Sequence, residues 1–160
     1  MEFTHLEKVL MEYGERVKAS YQKNLDDEGV NATGNLRNSV SVVVEKDEKS
    51  IEVALNLNEY WKWIEGGRPP TQNNGNGELR RAILDWIRVK PVIPTPFNGK
   101  LPTEPQLAYL ISRKIHTLGY EGKGLLKKSQ DENEDFLMNV ELALMEDIEK
   151  SIEEVLVLFT

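Results

Sequence analysis

The segment VSVVVEKDEKSIEVALNL, residues 40–57, decides the fold of this chain. On either side of its charged centre, apolar residues alternate with other residues: Val40, Val42 and Val44, then Ile51, Val53, Leu55 and Leu57. Alternation of this kind predicts strands with one buried face, and a short polar break between two such strands favours an antiparallel hairpin. We therefore expect a hairpin whose apolar face needs a helix packed over it.

The segments around the hairpin have the spacing of apolar residues that predicts amphipathic helices. Residues 2–25 form the first, with the stripe Phe3, Leu6, Leu10, Tyr13, Val17 and Tyr21. A second helix should begin at Glu78 and end before Pro91, and a third should run from Leu107 to Gly119. The last, about residues 132–158, is long and acidic, with the stripe Phe136, Val140, Leu144, Ile148, Ile152 and Val155, although residues 155–159 would also suit a strand. The expected class is α+β, an antiparallel β-sheet packed by α-helices with a long C-terminal helix.

Length and composition limit the class of function. The 160 residues suffice for one globular domain, which we take to span residues 1–160. The chain has no cysteine, which excludes a disulfide framework and a thiolate metal site. Because no apolar stretch approaches membrane-spanning length and the first residues do not resemble a secretory signal, we expect an intracellular protein without a membrane partner. A net charge of −7 argues against general nucleic-acid binding.

The motifs in the chain do not favour catalysis or a cofactor. Asp131, Asn133 and Asp135 have the first spacings of a calcium loop, but the required glycine and glutamate are missing. Residues 122–129 resemble a phosphate-binding loop, but Lys127 occupies the place of its second glycine. We expect two surface histidines, no catalytic residue, no metal and no cofactor, and hence a protein that is not an enzyme. The histidines are His5 and His116.

The aromatic segment before Gly66 offers candidates for an interface. Trp61 and Trp63 stand two residues apart on a predicted helix, so they cannot both face one core. Core packing is the default for each tryptophan, but aromatic residues also anchor protein interfaces. We take Trp61, Trp63 and the following Arg68 as candidate interface residues. The same segment and Trp86 are expected to join the sheet to the helices.

Residues 113–128 hold the one concentration of basic residues in an acidic chain. Its candidate interface residues, Lys123, Lys127 and Lys128, would suit an acidic neighbour or passing DNA. Equally, they could be ordinary exposed helix charges. Together with the acidic C-terminal helix, they favour a head-to-tail contact between identical copies, in which the lysines meet acidic residues of the next subunit. The acidic candidates are Glu141, Asp147 and Glu149.

The order of several segments resembles the head–tail joining and tail-completion proteins of tailed bacteriophages. The segments are TGNLRNS at 33–39, the hairpin, YWKWIEGGRPP at 60–70, ILDWI at 83–87, LAYLISRKI at 107–115 and GYEG at 119–122. The resemblance covers about residues 30–129 and does not include the acidic helix. Two segments depart from the family pattern, the Asn-Gly tract at 72–77 and the Pro-rich stretch at 91–105. We expect the loops at 69–77 and 91–105, which contain these segments, to become ordered mainly through contacts with other subunits.

The resemblance implies a single connector domain that acts as a structural subunit of the phage neck. Copies would form a ring that joins the portal and head to the tail and completes the tail, with no catalytic residues. The implied partners are other copies, other neck, portal or tail proteins, and DNA that passes through the channel. The implied location is the virion, after synthesis in the cytoplasm of a host bacterium. The alternative is a cytoplasmic nucleic-acid-binding or regulatory module that uses residues 113–128.

Overall fold

The computed structural model describes residues 3–30, 33–47, 50–71, 77–90, 92–96 and 98–158. The first described elements are α1 (Thr4–Asp27), α2 (Asn35–Ser39), β1 (Ser41–Lys46) and β2 (Ile51–Asn56). They are followed by α3 (Trp61–Gly66), β3 (Gly67–Arg68), α4 (Glu78–Val89), α5 (Glu104–Leu118) and β4 (Tyr120–Glu121). The last are α6 (Leu125–Asp131), a 3-10 turn (Glu134–Phe136) and α7 (Leu137–Val157). The predicted α+β class, with its long C-terminal helix, is confirmed.

Strands β1 and β2 form the predicted antiparallel hairpin, with Val42 opposite Leu55 and Val44 opposite Val53. Helix α1 packs over the hairpin, as its alternating pattern requires. Gly14 permits the close approach, because a Cβ at this position would lie 2.8 Å from Cγ2 of Val53 and closer still to Val42. Any side chain here would separate the helix from the sheet, so this glycine sets the distance between the two layers.

Helix α7 packs antiparallel to α1. Asn133, before α7, donates a hydrogen bond to the hydroxyl of Ser20 at 2.9 Å, whereas Asp147, farther along, reaches the first turn of α1. Asp147 therefore marks the place where α1 begins, and the residues of α7 that follow it extend past that first turn. Most of them are exposed.

Buried apolar side chains in the described residues form three clusters. The first joins α1, α2, α3 and α6 through Tyr21, Leu25, Leu36, Val40, Ile64 and Leu125. The second joins α1 to the C-terminal segment through Val9, Phe136 and Ala143. The third lies between α4 and α5 and consists of Ile83, Ile87 and Ala108. Helices α4 and α5 therefore pack as a pair around a small core of their own.

The apolar stripe predicted on the C-terminal helix is divided between two environments. Phe136 and Val140 pack against α1, but the other four members are exposed: Leu144, Ile148, Ile152 and Val155. The helix instead turns the small Ala143 and the carboxylate of Asp147 towards α1. A small side chain allows close helix packing, and the carboxylate finds hydrogen-bond donors there, so the larger residues lie on the opposite side.

Two predicted burial states are wrong. Trp86 is 38% exposed, because α4 turns the line of Ile83 and Ile87 towards α5, so this tryptophan does not join the sheet to the helices. His116 is buried, with its Nδ1 2.5 Å from the hydroxyl oxygen of Thr71. The Thr71 backbone N–H also donates to the His116 carbonyl oxygen, which fixes the chain after β3 to the end of α5. The prediction of a surface position is confirmed for His5.

The two segments that depart from the family pattern fall partly outside the described residues. Residues 72–76, 91 and 97 are not among them. Thr103, at the end of the Pro-rich stretch, forms a capping box with Gln106, which is why α5 begins at Glu104, before the apolar stripe that predicted it.

Candidate interaction surfaces

Two motif segments that lie far apart in the sequence, residues 60–70 and 119–122, meet in a small sheet. Strand β3 pairs antiparallel with β4, and Arg68 lies opposite Tyr120. The prediction from periodicity covered each segment separately and could not detect their contact. We call this pairing the β3–β4 crossing.

Glycine is required at the crossing because the two backbones nearly touch. A Cβ on Gly122 would lie 2.5 Å from the carbonyl carbon of Glu65 and closer still to its oxygen. Gly67 faces the backbone of β4 and has a φ of +71°, a conformation that other residues rarely adopt. At Gly66, in contrast, an added Cβ would have no neighbour within 4 Å. Of the adjacent Gly66 and Gly67, only Gly67 is needed for the close approach of the two backbones.

Glu65 fixes the crossing to α6. Its carboxylate accepts hydrogen bonds from the backbone N–H groups of Leu126 at 2.9 Å and Lys127 at 3.1 Å. The backbone N–H of Lys123 donates to the carbonyl oxygen of Ile64 at 2.7 Å. These bonds satisfy N–H groups at the start of α6 and a carbonyl group near the end of α3. Side chains at the crossing are therefore held by a bonded backbone.

Three exposed aromatic side chains around the crossing and the half-buried Arg68 form what we call the aromatic surface, and the aromatic members are Tyr60, Trp63 and Tyr120. The guanidinium carbon of Arg68 lies 5.5 Å from the centroid of the Trp63 ring, a cation–π contact. Burial raises the pKa of the Tyr120 phenol, nearby Tyr60 adds to the increase, and Arg68 opposes it. These side chains therefore interact with one another. Exposed aromatic rings beside an arginine have the composition of a protein-binding hot spot.

The structure separates the two tryptophans of α3. Trp63 is 44% exposed on the aromatic surface. Trp61 is partly buried and packs against the first hydrophobic cluster. Their spacing of two residues on a helix accounts for this difference. Of the predicted interface residues, Trp63 and Arg68 lie side by side, whereas Trp61 serves mainly the core.

The three candidate lysines lie around the start of α6, and all three are exposed. The ammonium group of Lys123 lies 2.6 Å from the carboxylate of Glu28, and this hydrogen bond and charge hold the pKa of Glu28 below its usual value. The ammonium group of Lys128 lies 4.0 Å from the carboxylate of Glu132. Two of the three lysines thus have an acidic partner within their own chain. The third is Lys127.

One of the predicted acidic partners, Asp147, is not at the surface. It is 4% exposed, and its carboxylate accepts hydrogen bonds from the backbone N–H groups of Leu6 at 2.8 Å and His5 at 3.3 Å. These bonds cap α1, since Phe3 at its N-cap position provides no side-chain bond. The prediction that Asp147 meets a neighbouring subunit is therefore wrong. The other two acidic candidates are exposed: Glu141 and Glu149.

A groove that the sequence did not predict lies between the α4–α5 pair and the chain that connects its helices. Its volume is about 810 Å³, and its apolar lining includes Leu101, Leu107, Tyr109 and Leu110. Three members of the stripe predicted on α5, Leu107, Ile111 and Ile115, pack against the third cluster, but the fully buried line of this helix is Ala108, Ser112 and His116. Leu110 is consequently 53% exposed. We call this feature the α4–α5 groove.

The structure supports neither a metal site nor a membrane-spanning helix in the part of the chain that it describes. No group of three or more His, Cys, Asp or Glu side chains there could hold a metal ion. None of the described helices is long and apolar enough to cross a membrane. In comparisons with known proteins, no family model, no curated protein and no solved structure matched the chain.

Proposed function

We propose that the chain is a structural subunit of a bacteriophage neck that assembles into a ring and joins the portal and head to the tail. The β3–β4 crossing carries this proposal. It brings together YWKWIEGGRPP and GYEG, two of the segments on which the resemblance to head–tail joining and tail-completion proteins depends. Segments that form one surface have a physical reason to occur together, which favours a family relationship over chance similarity.

The aromatic surface at the crossing is suited to protein contact. Its backbone is fixed by the glycine approach and by the hydrogen bonds of Glu65, so little conformational freedom is lost when a partner binds. Trp63 and Arg68 offer a large apolar area and a fixed cation. A neck subunit needs rigid anchors of this kind because it must hold different neighbours in fixed positions.

Assembly is further favoured by the apolar side chains that α7 leaves exposed. Monomeric proteins rarely present a continuous apolar strip on a helix, and such strips mark contact with other proteins. The C-terminal helix lies outside the segments that carry the resemblance. It is therefore the element by which the assembly of this chain would differ from that of the head–tail joining proteins it resembles.

The alternative of a nucleic-acid-binding or regulatory module loses part of its basis. It relied on the basic residues at 113–128, but Lys123 is paired with Glu28 and Lys128 lies beside Glu132. Paired lysines release fewer counterions when they meet phosphates, so they add less to DNA affinity. Strong, salt-dependent binding of the purified chain to duplex DNA would nevertheless favour this alternative over the neck.

Immunogold electron microscopy of intact particles tests the neck proposal. Antibodies raised against the purified chain should label the junction of head and tail. Particles made with Trp63→Ala and Arg68→Ala together should carry less of the protein, whereas Lys62→Ala, an exposed change on the same helix, should leave its amount unchanged. Labelling over the whole capsid, or of no particle at all, would contradict the proposal.

A further inference from the structure

Helix α7 has a second apolar face, opposite the one that packs on α1. We call it the free face of α7, and its members are Met138, Met145, Ile148, Ile152 and Val155, all exposed. Ile152 is 53% exposed and Val155 is 52% exposed. Residues 148, 152 and 155 have the spacing that places side chains in one line, as in a helix that inserts into a groove. This line is therefore shaped for a groove-like partner.

The charges beside the free face restrict what can cover it. Residues 137–158 contain six acidic residues and one lysine. Glu141 and Glu149 lie among the exposed apolar side chains of the free face. Two copies of α7 packed side by side would place these carboxylates near one another, which disfavours pairing of the helix with itself. The favoured partner is apolar and basic.

The α4–α5 groove has these two properties. Residues 77–118 contain seven lysines or arginines and three acidic residues, in a chain whose net charge is −7. Arg80 and Lys100 are exposed at the groove, beside the exposed Leu101 and Leu110. Arg80 lies 5.6 Å from the ring centroid of Tyr109, so its charge is held over the apolar lining. The groove therefore matches the free face in both apolar character and sign of charge.

We propose that the free face of α7 docks into the α4–α5 groove of a second copy of this chain. Each copy offers both surfaces, on different elements, so the contact is heterologous and passes from copy to copy until a ring closes. The inference rests on the proposed function in that it names the contact between neighbouring subunits of the ring. It replaces the predicted contact of Lys123, Lys127 and Lys128, since two of these lysines have partners within the chain.

The two kinds of interaction have different roles in this contact. Burial of Ile148, Ile152 and Val155 against the groove leucines supplies the affinity, because apolar area leaves water. Attraction between Glu141 or Glu149 and Arg80 or Lys100 sets the register and speeds the encounter of the subunits. Added salt should therefore slow assembly more than it loosens a completed ring.

Disulfide trapping tests the contact directly, because the chain has no cysteine. Ile152→Cys and Leu110→Cys are prepared as separate proteins, mixed and mildly oxidised. The mixture should give a cross-linked mixed dimer as its main product, and each protein alone should give little. A chain with both changes should give a ladder of larger oligomers. Glu45→Cys, an exposed position on β1, replaces Leu110→Cys in the control mixture and should remain uncoupled from Ile152→Cys.

Two outcomes of this experiment would overturn the proposal. If Ile152→Cys cross-links with itself as well as with Leu110→Cys, the helices pair with each other. If no combination cross-links and the chain sediments as a monomer while Ile152→Glu prevents incorporation into particles, the free face binds a different protein. Because these positions are exposed, matching thermal melts for the variants will show that their fold is intact.

Charge reversal provides an independent measurement of the same contact. Glu141→Lys with Glu149→Lys should lower the association constant by about tenfold or more, and so should Arg80→Glu with Lys100→Glu. A chain that carries all four changes should regain association, because opposite charges meet again. Continued loss in that chain would contradict the pairing. Cross-linking without labelling of the neck would refute only the proposed function, and labelling without cross-linking would refute only this contact.

Discussion

The carboxylate of Asp147 accepts a hydrogen bond from the backbone N–H of Leu6 at 2.8 Å, which ties the last helix to the start of the first. One acidic residue of the C-terminal helix is thus part of the fold, although its neighbours in sequence are exposed. The bond fixes the rotation of α7 on α1, and this rotation turns the large apolar side chains of α7 outwards. The free face is therefore a consequence of how α1 is capped.

Asp147→Ala should lower the free energy of unfolding by about 1–3 kcal/mol. The substitution leaves the buried N–H group of Leu6 and the partly buried N–H group of His5 without their acceptor, and caps of this kind contribute on this scale. Urea denaturation measures the change. Glu149→Ala, an exposed carboxylate of the same helix, is the matched control and should have almost no effect. Equal midpoints for the two variants would show that Asp147 does not cap α1.

Gly122→Ala should destabilise the β3–β4 crossing, whereas Gly66→Ala should not. The new methyl group on the first would meet the backbone of Glu65, but on the second it would have open space around it. Overpacking of this kind typically lowers stability by about 1–3 kcal/mol. The comparison uses thermal melts of both proteins, together with their tryptophan fluorescence. Similar stability of the two variants would mean that the close approach at the crossing is not required.

Tyr21→Phe should leave stability unchanged or raise it. Among the described residues, the hydroxyl of Tyr21 is buried without a hydrogen-bond partner. Loss of an unsatisfied buried hydroxyl can stabilise a protein by about 1–3 kcal/mol. Chemical denaturation at neutral pH checks this. A clear loss of stability would show that the hydroxyl has a partner, such as an ordered water molecule.

The same residue should make stability depend on alkaline pH. Burial, with a further contribution from Glu65, raises the pKa of Tyr21 from 10.0 to about 12. The folded state therefore keeps the phenol protonated where the unfolded state loses the proton. The stabilisation from this group is complete below the lower value and is lost as the pH rises towards the upper one. Denaturation at intervals across this range should show a steeper loss for the native protein than for Tyr21→Phe.

Replacement by alanine should affect stability at one tryptophan of α3 and assembly at the other. Trp61→Ala removes a ring that packs on the first hydrophobic cluster and should cost about 3 kcal/mol of stability. Trp63→Ala removes an exposed ring and should leave the melting temperature almost unchanged while it weakens incorporation into particles. Thermal melts and quantification of the protein in purified particles separate the two effects. If Trp63→Ala melts much lower but assembles normally, the aromatic surface is structural.

Periodicity in the sequence predicted the hairpin and the long helices, because both depend on local spacing of apolar residues. The apolar face of residues 40–57 and the need for a covering helix followed from the same pattern. The exposure of one tryptophan of α3 followed from helix geometry alone. These features depend on neighbours in sequence, which is why one sequence was sufficient to predict them.

The remaining features depend on partners distant in the sequence. The predicted stripe of α7 placed Ile148 and Ile152 on the packed side, but the cap formed by Asp147 turns them outwards. The pairing of Arg68 with Tyr120, and hence the aromatic surface, joins segments that no local pattern connects. The groove has an apolar lining because α5 buries Ala108 and leaves Leu110 exposed. Hydrophobic spacing alone does not show which of two apolar lines a helix buries.

Electron microscopy of particles made without this protein tests the central claim most directly. A phage from which its gene has been removed should produce filled heads and separate tails that do not join. Addition of the purified chain to an extract of these parts should restore joined, infectious particles, and the Ile152→Glu variant should restore fewer. Complete, infectious virions formed in the absence of the protein would contradict the claim that this chain joins the head to the tail.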